Sequence, residues 1–257
     1  MMIEAIALGI LQGITEFLPV SSSGHVFYAG RLYNYPVYDL PLMLSIHIAT
    51  AMAVFVYFRH RIRRLFISIV KTRIADYADE RKLIKYLLIA SIPAGIAGFL
   101  LEPFIDRITT VYLVGTCWII NGMILIIGEI LSQKKNTEKH LNAAIALFIG
   151  VFQALSILPG ISRSGSTITA ARNAGMKSFD AFEFSFLLGI IAIVGGFILE
   201  LLKKPQGFNF FCFVSGLAAF ISGYISLIIL AKTVRQNKMK WFGLYTIVVG
   251  LLTFFYK

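Results

Sequence analysis

Charge is what this 257-residue chain has least of. Asp, Glu, Lys and Arg together make up 14% of it, against about 25% in an ordinary soluble domain. A chain so short of charge cannot clothe itself for water, and lipid becomes its solvent. Acid is the scarcer sign, with 13 Asp and Glu against 24 Lys and Arg and a net charge of +11. A surplus of that size raises nucleic acid or anionic lipid as a partner. The basic residues fall in short loops between apolar stretches, which points to lipid and excludes nucleic acid. Cysteine is nearly missing. Cys117 and Cys212 lie inside apolar runs and read as buried small hydrophobes, not as a disulfide or metal pair. The opening Met1-Met2-Ile3-Glu4 lacks the basic n-region of a cleavable signal peptide, so this segment is expected to stay in the mature protein.

What is present is bulk apolar surface: 58% hydrophobic residues, 22 Phe and 11 Tyr, with a mean hydropathy of +0.79. Six stretches, near 41–58, 84–101, 109–131, 182–202, 208–230 and 241–256, approach the length needed to cross a hydrocarbon core of about 30 Å. Two more, 3–17 and 142–157, are shorter and run into Pro, Ser and Gly. A second short, mostly apolar segment follows each break. Irregular backbone at membrane depth is tolerated only where protein or a water-filled cavity surrounds it, so these read as re-entrant helix hairpins. Loop charge tests the idea. With both segments re-entering, loops 59–83, 132–141, 172–181 and 231–240, with Lys85 at the edge of the first, carry 18 of the 24 Lys and Arg on one face and leave 5 on the other. With both crossing fully, the division is 15 to 8. The positive-inside rule favours the sharper asymmetry, which puts both termini outside the cytoplasm. The expected fold is an all-α integral membrane protein of one domain, 1–257, with six transmembrane helices and two re-entrant hairpins.

The two broken segments resemble each other. Gly9-Ile10-Leu11-Gln12 matches Gly150-Val151-Phe152-Gln153, and an offset of 141 residues separates both Gln12 from Gln153 and Gly24 from Gly165. Leu-Pro and Ser-x-Ser-Gly recur, with one residue shifted around the proline. Each hairpin precedes three spans, an odd number, so the second unit is inverted relative to the first. An inverted-topology repeat follows, with units near 1–131 and 142–257 whose hairpins enter from opposite faces and meet.

The chemistry-bearing residues sit in these breaks. In Gln12-Gly13-Ile14-Thr15-Glu16-Phe17-Leu18-Pro19-Val20-Ser21-Ser22-Ser23-Gly24-His25, Gln12 and Glu16 stack one turn apart. An acid at membrane depth costs at least about 2.5 kcal/mol and is a functional candidate by default. The plainer alternative for Glu16 is a helix-end carboxylate paired with backbone amides or an arginine. His25 follows a serine triplet within one loop of Glu16. Those serines can cap a helix, contact phosphate, or do both. In Pro159-Gly160-Ile161-Ser162-Arg163-Ser164-Gly165-Ser166-Thr167, a lone arginine lies among serines at an expected helix start. Free amides, hydroxyls and a guanidinium fork describe an oxyanion site suited to phosphate. Carboxylate, imidazole, hydroxyls and anion clamp together suit phosphoryl transfer to water, and the membrane suggests a lipid-linked phosphate.

Gln12-x-x-x-Glu16, the following Pro-Val-Ser-Ser-Ser-Gly-His25 and Pro159-Gly-Ile-Ser-Arg163-Ser-Gly resemble the undecaprenyl-diphosphate phosphatases of bacteria. The likeness extends through the six-span pattern and Phe184-Ser185-Phe186-Leu187-Leu188. It implies hydrolysis of undecaprenyl diphosphate to the monophosphate on the outer face of the inner (plasma) membrane. It also implies recycling of the cell-wall lipid carrier, bacitracin resistance, and a divalent cation, magnesium or calcium, with Glu16 as its metal ligand. By position, Glu16, Ser22, His25 and Arg163 match the family's principal functional residues. Gln12, Ser21, Ser23, Gly160, Ser162, Ser164, Gly165 and Thr167 are the expected substrate contacts. Two positions depart from the pattern: Gln12 stands where the family often has Glu, and Gly189-Ile190-Ile191 replaces a more usual Ser/Ala-Ile-Pro. The attacking group stays open among Ser22, His25 and water.

The rival class is a transporter, which inverted repeats and hairpins also suit; a lipid-binding scaffold is a third. Other features read plainly. Asp76, Asp79 and Glu80 are expected to be solvated within a basic, anionic-lipid-facing loop. His47 is expected to face the bundle interior. Ala219 and Gly223 form a small-xxx-small pair that suits helix packing or a homodimer.

Overall fold

The computed structural model describes residues 2–33, 40–71, 74–134, 138–202 and 207–255. Arg73, Lys135, Lys203, Lys204 and Lys257, which entered the charge count, lie outside these residues, as does the end of the 241–256 stretch. The described residues form helices α1 (Met2–Phe17), α2 (Ser22–Tyr33), α3 (Leu40–Tyr57), α4 (Arg59–Val70), α5 (Ala78–Ile108), α6 (Val111–Gln133), α7 (Ala143–Leu155), α8 (Arg163–Asn173), α9 (Ser178–Leu202), α10 (Phe210–Arg235) and α11 (Lys240–Leu252). Among the described residues, five helical stretches are long and apolar enough to cross a membrane: Leu40–Tyr57, Ala75–Leu101, Val111–Gln133, Ser178–Gly196 and Phe210–Arg235. The protein is an all-α, multi-pass integral membrane protein. The sixth expected span is present as α11, but its 13 residues reach only about 20 Å at 1.5 Å per residue.

The two broken segments fold as helix pairs, α1 with α2 and α7 with α8. The longest of the four arms, α1, has 16 residues and reaches only about 24 Å, less than a hydrocarbon core. α1 packs along α10, and α7 packs along α5. Glycine lets both pairs approach closely. A Cβ on Gly9 would collide with the Ser215 carbonyl oxygen of α10, and one on Gly150 with the Ala90 carbonyl oxygen of α5. The two glycines matched between the broken segments therefore do the same work, each against a long helix remote in sequence. Ala219 and Gly223 are used within the chain, because a Cβ on Gly13 of α1 would lie 2.5 Å from the Ala219 oxygen and 2.7 Å from the Gly223 nitrogen. α11 lies along α6 through four glycines at seven-residue spacing, Gly122 against Gly243 and Gly115 against Gly250. Such small-residue seams replace the missing hydrophobic drive between helices in lipid.

Two expectations fail here. Glu80 is buried, not solvated: its Oε1 takes Arg61 at 3.1 Å and Arg64 at 2.8 Å, while Arg61 also reaches Glu183 at 2.8 Å. The basic stretch therefore folds back as α4 and neutralises acids on α5 and α9. His47 lies on the exposed face of α3, its Nδ1 on the Met43 carbonyl at 2.8 Å. That local bond satisfies the ring without any interior partner. Cys117 and Cys212 are free and buried, as expected.

Candidate active site

α1 ends at Phe17, ahead of Pro19, and four residues turn the chain into α2. Two of their carbonyls are satisfied from α6. Asn121 Nδ2 donates to the Pro19 carbonyl at 3.0 Å, and Trp118 Nε1 to the Val20 carbonyl at 2.9 Å. Asn121 Oδ1 accepts from the Ser162 amide at 2.9 Å, so one buried side chain ties both breaks together. Ser21, in the left-handed region at φ 69°, adds a direct tie: its Oγ accepts from the Gly160 amide at 3.1 Å. Gly160 must be glycine, because its φ is +106° and a Cβ there would lie 2.6 Å from the Val114 oxygen. Across the same junction, Ser164 Oγ donates to the Phe17 carbonyl at 2.9 Å.

This junction sets three side chains around one carboxylate. Gln12 Nε2 donates to Glu16 Oε2 at 3.0 Å, and Ser22 Oγ to the same oxygen at 2.6 Å. Arg163 Nη2 donates to Glu16 Oε1 at 3.3 Å. The Glu16 and Arg163 side chains keep only 10% and 15% of their surface, so the charges meet in a poorly solvated place where their fields act strongly. Arg163 lies on the backbone of α9 at Gly189, where a Cβ would collide with Nη1. The Gly189 departure noted in the sequence thus makes room for the guanidinium. Arg163 Nη1 is buried without a partner.

The expected contacts divide into two groups. Gln12, Glu16, Ser22 and Arg163 come together. Ser162, Ser164, Gly165 and Thr167 are buried and bonded internally. Ser162 Oγ caps α8 by accepting from the Gly165 amide at 3.2 Å, and the Ser166 amide goes to the Ser162 carbonyl at 2.9 Å. Thr167 Oγ1 donates to the Arg163 carbonyl at 2.7 Å and lies 2.5 Å from Ser185 Oγ. Ser23 Oγ lies 3.2 Å from Ser21 Oγ. His25 makes no hydrogen bond to Glu16, Ser22 or Arg163. Its Nδ1 meets the Ser21 carbonyl and its Nε2 the Tyr245 hydroxyl, each at 2.8 Å. Sequence reasoning missed Trp118, Asn121, Ser185 and Tyr245. The available signals were a buried Asn within an apolar span and the place of Ser185 in the 184–188 stretch that the family resemblance covers.

The divalent cation that the resemblance implies does not fit these donors. Glu16 is the single carboxylate of the cluster, and both its oxygens already accept from protein groups. Among the described residues, no three His, Cys, Asp or Glu side chains gather to hold a metal. Calcium asks for six to eight oxygens, and a cation at Oε1 would face the Arg163 charge.

Known proteins resemble this chain along nearly its whole length. The family model described as "Bacitracin resistance protein BacA" matches residues 5–252. An undecaprenyl-diphosphatase of Methanococcus vannielii is 35% identical over 260 residues, covering 98% of this chain and 99% of the relative. One of Treponema denticola is 37% identical, covering 96% and 94%. Undecaprenyl-diphosphatase 2 of Bacillus thuringiensis is 36% identical, covering 98% and 96%.

Proposed function

The chain belongs to the bacitracin resistance protein BacA family, and we propose that it is a membrane hydrolase converting undecaprenyl diphosphate to undecaprenyl phosphate. That reaction recycles the lipid carrier for cell-wall synthesis and underlies bacitracin resistance. The observation that carries the reading is the cluster of Glu16, Ser22 and Arg163 at the junction of the two breaks. Arg163, with Nη1 to spare, takes the terminal phosphate. Ser22 is the nucleophile this geometry favours, because its hydroxyl already points its proton at a carboxylate. As Oγ bonds to the terminal phosphorus, the bridging P–O bond breaks, the lipid monophosphate leaves and Glu16 takes the serine proton. Water then cleaves the phosphoserine, inorganic phosphate leaves, and Ser22 regains a proton. Gln12 holds the carboxylate in place. No step is assigned to a protein-held cation; a cation carried on the diphosphate oxygens suits the site better.

The repeat, with units near 1–131 and 142–257, is supported by the matched glycines and the matched packing of α1 on α10 and α7 on α5. Loop charge supports a plasma-membrane protein whose termini and active site face outward. The test is phosphate release from a long-chain prenyl diphosphate in detergent. Glu16→Ala and Arg163→Ala are expected to lose at least about a hundredfold in rate, and acid quench of the native protein is expected to trap phosphate on Ser22. Full activity in either variant sinks the assignment. Movement of lipid between leaflets without phosphate release supports transport instead.

A further inference from the structure

His25 belongs to the motif, yet neither ring nitrogen touches the Glu16–Arg163 cluster. Both are already taken, and the partner of Nε2 comes from the far end of the chain. We propose that Tyr245 is a positioning residue for the hydrolysis and acts through His25. The inference rests on the hydrolase reading of this site and on the part in the reaction that the family resemblance implies for His25.

Nδ1 of His25 lies 2.8 Å from the Ser21 carbonyl oxygen, which can only accept, so Nδ1 carries the hydrogen. In the neutral ring Nε2 then presents a lone pair, and the Tyr245 hydroxyl, 2.8 Å away, donates to it. The two rings are nearly parallel, 5° apart with centroids at 5.8 Å. Trp118 closes a third side, edge-on at 5.0 Å. The imidazole is thereby held to one tautomer and one orientation.

Tyr245 is itself firmly placed. The glycine seam of α6 and α11 fixes the height of its helix, and the next residue, Thr246, lies 3.5 Å from Asn121 Nδ2, the side chain that ties the two breaks. An apolar helix needs no hydroxyl at this point, since Phe would fill the same space. Other hydroxyls on the long helices, those of Thr116, Ser226 and Thr233, bond to their own backbone four residues back. The Tyr245 hydroxyl crosses to a motif histidine instead.

The test uses the full-length protein in detergent with a long-chain prenyl diphosphate. Tyr245→Phe is expected to lower kcat about tenfold while KM stays within about twofold, a share of what acid–base groups contribute. His25→Ala falls further, and adding Tyr245→Phe to it changes nothing more, because the hydroxyl works through the ring. The double variant also separates packing from positioning: a packing loss persists without His25, whereas a lost hydrogen bond does not. Wild-type kcat in Tyr245→Phe beside an inactive His25→Ala overturns this proposal alone, as does an equal loss in the His25→Ala background. Wild-type turnover in His25→Ala removes His25 from the reaction and overturns this proposal, while the hydrolase reading itself falls only with full activity in Glu16→Ala or Arg163→Ala.

Discussion

Glu16 spends both carboxylate oxygens on protein donors, and which donors they are decides its role. The amide of Gln12 stands one turn away at 3.0 Å and adds no charge. The plainer sequence alternative, a carboxylate paired with an arginine, also holds, because the arginine is Arg163. In the proposed mechanism, structural pairing and catalysis are one arrangement. Replacing Gln12 with Glu puts a second carboxylate on the same helix face, where two like charges resist ionising together. A cation relieves that repulsion. Gln12→Glu is therefore expected to lose at least about tenfold in rate under chelation, with magnesium restoring it, while the wild type responds less. Titration of activity against free magnesium is the check, and equal curves for the two proteins remove Gln12 from the cation argument.

Among the helices, α6 does the most for the site without supplying a reacting group. Trp118 and Asn121, three residues apart on one face, take the carbonyls of Val20 and Pro19. Asn121 also takes the Ser162 amide. Backbone leaving helical geometry inside a membrane needs such partners, because lipid offers none. Asn121→Leu keeps the volume and removes these bonds, stranding two buried backbone groups at a cost of about 1–3 kcal/mol each. A lower melting midpoint in detergent, with reduced phosphate release, is expected. An unchanged midpoint means the breaks are held elsewhere, through Ser21 and Gly160. The adjoining face of α6 meets α11, and the seven-residue glycine spacing lets a 13-residue helix seat deeply enough for Tyr245 to reach His25.

Across the whole molecule, charge sorts to one end. α4 brings Arg61 and Arg64 to Glu80, and Arg61 to Glu183, beside a cavity of about 630 Å³ lined in part by Lys82, Glu138, His140, Lys177 and Asp180. None of Gln12, Glu16, Ser22, His25 and Arg163 lines that cavity. At the same end, Lys177 and Glu138 pair at 3.1 Å, and the bond holds the exposed Lys177 ammonium above its ordinary pKa. Under the proposed orientation this end is cytoplasmic. Cysteine placed at Lys177 should then resist a membrane-impermeant thiol reagent added to intact cells, while cysteine at Arg31 should react; the native Cys117 and Cys212 are buried and stay silent. The reverse pattern inverts the topology and moves the site to the other face.

Residence in lipid, the positions of the long spans, the two breaks and the cluster of Gln12, Glu16, Ser22 and Arg163 were legible in the amino-acid sequence. Scarcity of charge, apolar run length and one-turn spacing are local properties that survive being read in a line. The sequence also offered Ser162, Ser164, Gly165 and Thr167 as phosphate contacts, since hydroxyls and a helix start have that capacity. Only the tertiary structure decided how it is used. It bonds those groups within α8 and to Phe17, Asn121 and Ser185, and leaves Arg163 Nη1 without a protein partner. It likewise buried Glu80, turned His47 outward and brought Tyr245 to His25. A donor's freedom depends on what packs against it, and here the deciding partners lie as far as 220 positions away along the chain.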